Sequence, residues 1–287
     1  MEEYNNAYYI SELKINEIHQ LGYTGKGIKI AIIDSGCDYN HIELHNKIKY
    51  GINLTNENMN SPYDYMDNFK HGTAVTSEIV KIAPNSDIII IKCLDKNGSG
   101  SVESINKGLE FAIKQNVDIV NMSIGSKKPN SDLEGLIKLA VEKNICVVAA
   151  AGNDGNGSEM VDEIHYPAYY YDAISVGSLT KDYKPSFFSA SNDLIDLLAF
   201  GEDIPTLAPK NNYTLSSGTS QAAPIVTGIL ALMKQYLRIK LNREPKEDEL
   251  YKYLINNTKE IDKTSRNIQG YGYVQLDNFI NDLRGDK

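Results

Sequence analysis

Cysteine is scarce in this chain of 287 residues: Cys37, Cys93 and Cys146 are an odd number, too few for a disulfide framework and too far apart for a metal-ligand cluster. A reducing compartment suits such a chain. Proline is sparse as well, at 9 residues, and with 21 Gly and 41% hydrophobic residues the composition excludes collagenous, low-complexity and disordered classes. No stretch approaches the roughly twenty apolar residues of a membrane helix. The start, Met1-Glu2-Glu3-Tyr4, lacks the basic and apolar segments of a secretory signal. Basic side chains are outnumbered, 29 against 38 acidic ones, and the net charge of −9 argues against nucleic-acid binding by bulk charge. These absences predict a soluble, cytoplasmic protein with no membrane anchor and no nucleic-acid partner.

What is present is an alternation of short apolar runs with amphipathic segments. Ile28-Ile33, Ile88-Leu94, Asp118-Ile124, Ile145-Ala151 and Ala173-Gly177 read as strands buried on both faces, the mark of a parallel sheet. Val102-Gln115 and Leu133-Lys143 carry apolar residues at helical spacing, and Ile10-Leu21, Ser220-Arg238, Lys246-Asn256 and Val274-Leu283 read as further helices. The βαβαβ pattern implies right-handed crossovers and an α/β fold of three layers, a mostly parallel twisted sheet with helices on both faces. The glycine-rich Gly22-Gly27 invites a phosphate-loop reading, but it follows a helix and precedes a strand, the reverse of the order such a loop requires. No repeat or linker interrupts the chain, so residues 1–287 are expected to form one domain.

Three places combine a reactive side chain with small neighbours at an element boundary. Asp34, in Ile32-Ile33-Asp34-Ser35-Gly36, ends an apolar strand, where open α/β sheets bind ligands; a turn-capping carboxylate is the plain alternative. His71, in His71-Gly72-Thr73, opens an apolar helical stretch that runs to Ile82. His19, His41 and His45 have no comparable setting. Ser220, in Gly218-Thr219-Ser220-Gln221-Ala222-Ala223-Pro224, precedes a long helix and is either a helix-capping serine or a hydroxyl beside unpaired N–H groups that could hold an oxyanion. An Asp, a His and a Ser are together the parts that make a serine nucleophilic. Asn153, after Ala149-Ala150-Ala151-Gly152, offers an amide donor for an oxyanion.

With these three segments in this order, the chain resembles the subtilisin-like serine proteases, or subtilases, from about Gly22 to Leu276. The resemblance implies a serine endopeptidase core over about 22–276, preceded by a helical extension over 1–21, with Asp34, His71 and Ser220 as catalytic residues and Asn153 in the oxyanion hole. It implies that Gly98-Ser99-Gly100 and Ser123-Ile124-Gly125 flank an extended peptide or protein substrate, held by main-chain hydrogen bonds. Ala150, Ala151 and Gly152 would line the pocket for the residue before the cut. His165 precedes Tyr166-Pro167 at the base of that pocket, where glycine is common in the family, and is expected to favour a polar or acidic side chain over a large aromatic one.

Departures sharpen the expectation. Gln221 and Ile225 stand where the family often has Met and His, and both are expected to tune packing rather than supply chemistry. The helix from His71 passes directly through Ile82 to Ala83-Pro84, without the insertion that many secreted subtilases use as a calcium loop. No metal or cofactor is expected for the chemistry, and the usual strong calcium site is expected to be missing. The first signature begins near residue 30, leaving no room for a propeptide within the chain. The resemblance is thus to intracellular members, with limited processing of a peptide or protein precursor as the expected task; general protein turnover and a peptide-binding pseudoprotease are the alternatives. Cys37, three residues after Asp34, is expected to be a buried structural thiol.

Overall fold

The computed structural model describes residues 1–57, 61–158 and 162–285. Strands without a polar face must be covered on both sides, and the topology meets that demand. In chain order the strands are β1 (Lys29–Asp34), β2 (Ile48–Asn53), β3 (Asp87–Lys92), β4 (Ile119–Met122), β5 (Cys146–Ala150), β6 (Ile174–Leu179), β7 (Leu197–Phe200), β8 (Ile204–Ala208), β9 (Asn212–Ser216), β10 (Thr258–Lys259) and β11 (Tyr273–Val274). One large sheet has the order β10-β11-β7-β6-β5-β4-β1-β3-β2, and β8 pairs with β9 in a separate antiparallel ribbon. Neighbours in the large sheet run parallel except β10 and β11.

The helices are α1 (Glu2–Asn5), α2 (Tyr8–Glu12), α3 (Ile15–Gln20), α4 (His71–Ile82), α5 (Val102–Lys114), α6 (Ser131–Glu142), α7 (Thr219–Leu241), α8 (Glu247–Ile255), α9 (Arg266–Gln269) and α10 (Asp277–Arg284). Side chains alternate along a strand, and β1 shows the layering this produces. Ile30 and Ile32 pack with Val75 and Ile79 of α4 and Val226 and Ile229 of α7. Ala31 and Ile33 face the other way, toward Leu109 and Ala112 of α5 and Ile137 of α6. Each fully buried isoleucine contributes about 1.5–3 kcal/mol, so a polar residue on either face of β1 would be costly. The predicted three-layer α/β fold is the one observed.

Several elements differ from the sequence reading. The expected helix Ile10-Leu21 is two helices, α2 and α3, because Lys14 adopts a left-handed φ of 54° between them. Val274 belongs to β11, and the last helix starts at Asp277. The edge strand β2 exposes Lys49 and Tyr50, buries Gly51 and Asn53, and has no continuous apolar run. In the loop at Gly22-Gly27 the N–H groups of Thr24, Gly25 and Lys26 all donate to Gln235 Oε1 of α7, at 2.9, 2.8 and 3.2 Å, so a side chain of this protein takes the donors a phosphate would need.

Strand order reverses at β1, with β3 and β2 on one side and β4 to β7 on the other. The carboxyl end of β1 is therefore a topological switch point, the place where open α/β sheets hold ligands. Asp34 is its last residue.

Candidate active site

Asp34 is fully buried, and its Oδ1 accepts the Ser35 N–H at 2.7 Å. Both of its oxygens face His71 Nδ1, at 2.9 and 3.0 Å. A carboxylate can only accept, so Nδ1 carries the proton and Nε2 is the acceptor of the neutral ring. Burial acts to lower the His71 pKa, but the Asp34 charge, its hydrogen bond and the Asp67 charge outweigh it, and the net shift is upward from the ordinary histidine value.

His71 is the first residue of α4, and small residues let that helix meet the end of β1. A Cβ on Gly72 would lie 2.1 Å from the Gly36 carbonyl oxygen, and one on Gly36 would lie 2.3 Å from that of Tyr65. The unpaired N–H groups of the first turn are met from a distance by Asp67. Its carboxylate accepts from the N–H groups of Phe69, Lys70 and Thr73 and from the hydroxyls of Ser35 and Thr73. The Ser35 Oγ in turn accepts the Gly72 N–H at 2.9 Å. Neither Asp67 nor Ser35 was singled out from the sequence; an acid four residues before a helix-opening histidine was the available signal.

Ser220 lies one residue inside α7, whose N-cap is Gly218, so its hydroxyl does not cap the helix. The neighbouring N–H groups are used differently. Thr219 N–H donates to Asn153 Oδ1 at 2.8 Å and Gln221 N–H to the Gly218 carbonyl at 3.0 Å. Among the described residues nothing accepts from the Ser220 N–H, which points out of the positive end of a 23-residue helix. Thr219 Oγ1 donates to Asn153 Oδ1 at 3.0 Å and accepts the Gly152 N–H at 3.1 Å. With Oδ1 so fixed, Asn153 presents its Nδ2 as a donor. A Cβ on Gly218 would stand 3.1 Å from Ser220 Oγ and 3.3 Å from Asn153 Nδ2, so these two groups flank one spot. Thr219 is a third residue the sequence reading passed over. The Ser220 hydroxyl itself accepts from Gln221 Nε2 at 3.2 Å. Gln221 is 1% exposed, and among the described residues its Oε1 has no hydrogen-bond partner.

Beside His71 opens a cavity of about 640 Å³. Gly98, Ser99 and Gly100 line one side and Ser123, Ile124 and Gly125 another, with Leu94, Ile105, Leu133 and Tyr166 giving it an apolar floor. The sequence-predicted pairs of segments are thus brought together around one space. Ala150, Ala151, Gly152 and His165 are not among the residues that line it. Ala151 is a correction to the expected pocket lining: it is fully buried behind the strand end, packed with Ala190 and Ile195. Ala150 is 6% exposed, and Gly152 is half-buried. His165 contacts the face of Gly152, with its Nε2 3.4 Å from Asp154 Oδ2. Cys37 is fully buried, and burial pushes its thiol pKa far up, which removes it as a nucleophile. Among the described residues, no group of three or more His, Cys, Asp or Glu side chains is placed to hold a metal ion. No helix of the described residues is long and apolar enough to cross a membrane.

This geometry agrees with comparison to known proteins. The chain is 40% identical over 261 residues to an "Intracellular serine protease" of Paenibacillus polymyxa, a match covering 88% of this chain and 80% of that one. It is 38% identical over 277 residues to the "Major intracellular serine protease" of Bacillus subtilis (strain 168), covering 93% and 86%. It is 35% identical over 235 residues to "Subtilisin E" of the same organism, covering 79% of this chain and 60% of that protein. The sequence pattern described as "Subtilase family" matches residues 25–272, so the chain belongs to the subtilase family of serine proteases.

Proposed function

We propose that this subtilase works inside the cell as an endopeptidase that cuts a peptide or protein precursor at a limited number of places. Ser220 Oγ attacks the scissile carbonyl, His71 Nε2 takes the hydroxyl proton and returns it to the leaving amine, and Asp34 holds the tautomer and stabilises the imidazolium. The Ser220 N–H and Asn153 Nδ2 receive the oxyanion, and in subtilisin a side-chain donor of this kind lowers the barrier by about 2.7–4 kcal/mol. Water then releases the acyl group by the same proton shuttle. Every step uses side chains and backbone of this chain, with no metal or cofactor. The peptide lies extended between 98–100 and 123–125. A structural calcium ion is not part of the proposal, since α4 ends at Ile82 and β3 begins at Asp87 with no intervening insertion. The names of the two intracellular relatives support the cytoplasmic location.

The observation that carries this reading is the contact of His71 Nδ1 with the buried Asp34 carboxylate at 2.9 Å, which leaves Nε2 as a base. One observation favours a binding scaffold without turnover: the Ser220 hydroxyl has the Gln221 amide, and not His71, as its partner. In unliganded sites the catalytic hydrogen bonds are often loose and tighten with substrate. A fluorophosphonate probe decides. Labelling of the unmodified protein that disappears in Ser220→Ala supports the enzyme, and no labelling of the unmodified protein overturns it. Precursor processing, as against general turnover, is tested by the products from denatured proteins: a few discrete fragments support it, and digestion to short peptides refutes it.

A further inference from the structure

We propose that Asn121 is a positioning residue: through a hydrogen-bond relay that starts at Thr227 on the nucleophile's helix, it holds segment 123–125 in register with Ser220. An extended substrate is then gripped in line with the hydroxyl that attacks it. The inference rests on Ser220 being the nucleophile and on the peptide lying along 123–125. Ser220, Ala223 and Thr227 are spaced three and four residues apart on α7 and so share one face of that helix. Side chains of β4 alternate between the two layers. Ile119 packs on the α7 side with Val226 and Ile229, whereas Val120 and Met122 pack on the other side with Leu109 and Ile137, so Asn121 faces α7.

Thr227 Oγ1 donates to Asn121 Oδ1 at 2.8 Å, and Asn121 Nδ2 donates to Ser123 Oγ at 3.0 Å. All three residues are buried. A threonine inside a helix ordinarily gives its hydroxyl proton to the carbonyl four residues back. That carbonyl, of Ala223, lies 3.0 Å from Thr227 Oγ1, and the Asn121 oxygen is nearer. The direction of the relay is fixed by the amide itself: with a donor holding Oδ1, the group left to face Ser123 is Nδ2, which can only donate. One side chain of the sheet thus joins the helix that carries Ser220 to the first residue beyond β4.

Segment 123–125 has little else to hold it. The pairing of β4 with β5 ends at Met122, opposite Ala149. It is at Ser126 that backbone bonds resume, with two exchanged with Tyr166 at 2.8 and 2.9 Å. Among the described residues, no N–H or C=O of Ser123, Ile124 or Gly125 bonds to another backbone group. Open backbone is what a strand-like substrate requires, since its own main chain supplies the missing partners. It also leaves the segment free to shift. The Asn121–Ser123 bond anchors the near end without using the main chain, and Thr227 refers that anchor to α7. The stakes are set by geometry, because a displacement of about 1 Å between reacting groups can cost about 100-fold in rate.

The test sets cutting of a peptide that extends along 123–125 against labelling by a fluorophosphonate, which reaches Ser220 without pairing with any backbone. Thr227→Val keeps the side-chain shape and removes the hydroxyl. Its kcat/KM on the peptide should fall at least about tenfold, while the rate of labelling stays within about threefold. Thr227→Ser restores the hydroxyl and should bring peptide cutting back to within about threefold of the unmodified protein. Ser123→Ala opens the relay at its other end and should show the same split, and in the double variant the two losses should not multiply. Unchanged peptide cutting in Thr227→Val, labelling that falls in step with cutting, no rescue by Thr227→Ser, or losses that multiply each overturns the proposal. If Thr227→Val fails to fold, Ser123→Ala carries the test: peptide cutting lost with labelling kept supports the relay, and any other pattern overturns it. No labelling of the unmodified protein sinks the serine-enzyme reading beneath, whereas normal labelling with unaltered cutting in the variants sinks the relay alone.

Discussion

Two histidine–aspartate pairs lie at the same end of this sheet, and they are built differently. His71 Nδ1 sits 2.9 Å from a carboxylate with no exposed surface. His165 Nε2 sits 3.4 Å from Asp154, whose side chain is 46% exposed and also paired with Lys127. In the first pair the carboxylate has one cationic partner to stabilise, in surroundings that screen little, so it can hold a tautomer and raise a pKa. In the second, solvent and a lysine share the charge, and the ring packs against Gly152. Residue type alone does not make a histidine a base; burial and competition for the carboxylate do.

The comparison breaks most sharply on the carboxylates. Asp34→Asn should reduce kcat by about 10⁴, because the amide favours the wrong ring tautomer and cannot stabilise the imidazolium. Asp154→Asn should change kcat/KM on an Ala peptide by less than about tenfold, since an exposed pair contributes little. Steady-state kinetics on the two variants checks this, and similar losses in both would erase the distinction.

A smaller effect is expected one shell out from His71. Asp67→Asn replaces a charge that helps to raise the His71 pKa and weakens the anchoring of the first turn of α4. Activity requires neutral His71, so it rises with pH through the His71 titration, and the midpoint lies above the ordinary value of about 6.5. Without the Asp67 charge that midpoint should move down, and kcat/KM at its plateau should fall roughly 10- to 100-fold through misplacement of the ring. A pH–rate profile separates the two effects. A loss of rate with the midpoint unmoved would make Asp67 a structural cap only.

The sequence made the fold class and the reactive side chains legible because both depend on local signals. Continuous β-branched runs such as Ile30-Ile33 mark doubly covered strands, and Asp34, His71 and Ser220 sit at element boundaries that small residues announce. What was not legible depends on contacts distant in sequence. Thr219 fixes Asn153 from 66 residues away, and Gln235 fills the glycine loop from more than 200 away. His165 packs against Gly152 from a separate loop, a contact that no spacing in the chain reveals. Ala151 was misassigned because alternation at the end of β5 turns it toward Ala190 and Ile195.

The smallest expected effect concerns a third carboxyl, which extends the contrast to an acid closed off from solvent. Glu78 lies on α4, two turns after His71, fully buried, and among the described residues neither of its oxygens has a hydrogen-bond partner. Burial pushes its pKa well above the carboxylate range. The folded value thus exceeds the unfolded one, so its contribution to stability is intact below the unfolded pKa and is lost as pH rises toward the folded value. His71, also raised, is lost in the same direction, but it is common to both proteins when Glu78→Gln is compared with the parent and cancels in the difference. The amide cannot ionise, so the variant escapes the Glu78 penalty. Its melting temperature should match the parent's within about 1 °C at pH 4 and exceed it by at least about 3 °C at pH 8, given roughly 1.4 kcal/mol per pKa unit and about 2–4 °C per kcal/mol. Thermal melts at the two pH values check this. An equal difference at both would mean that the carboxyl finds a proton-independent partner, and the rule drawn from the two histidine pairs would not extend to it.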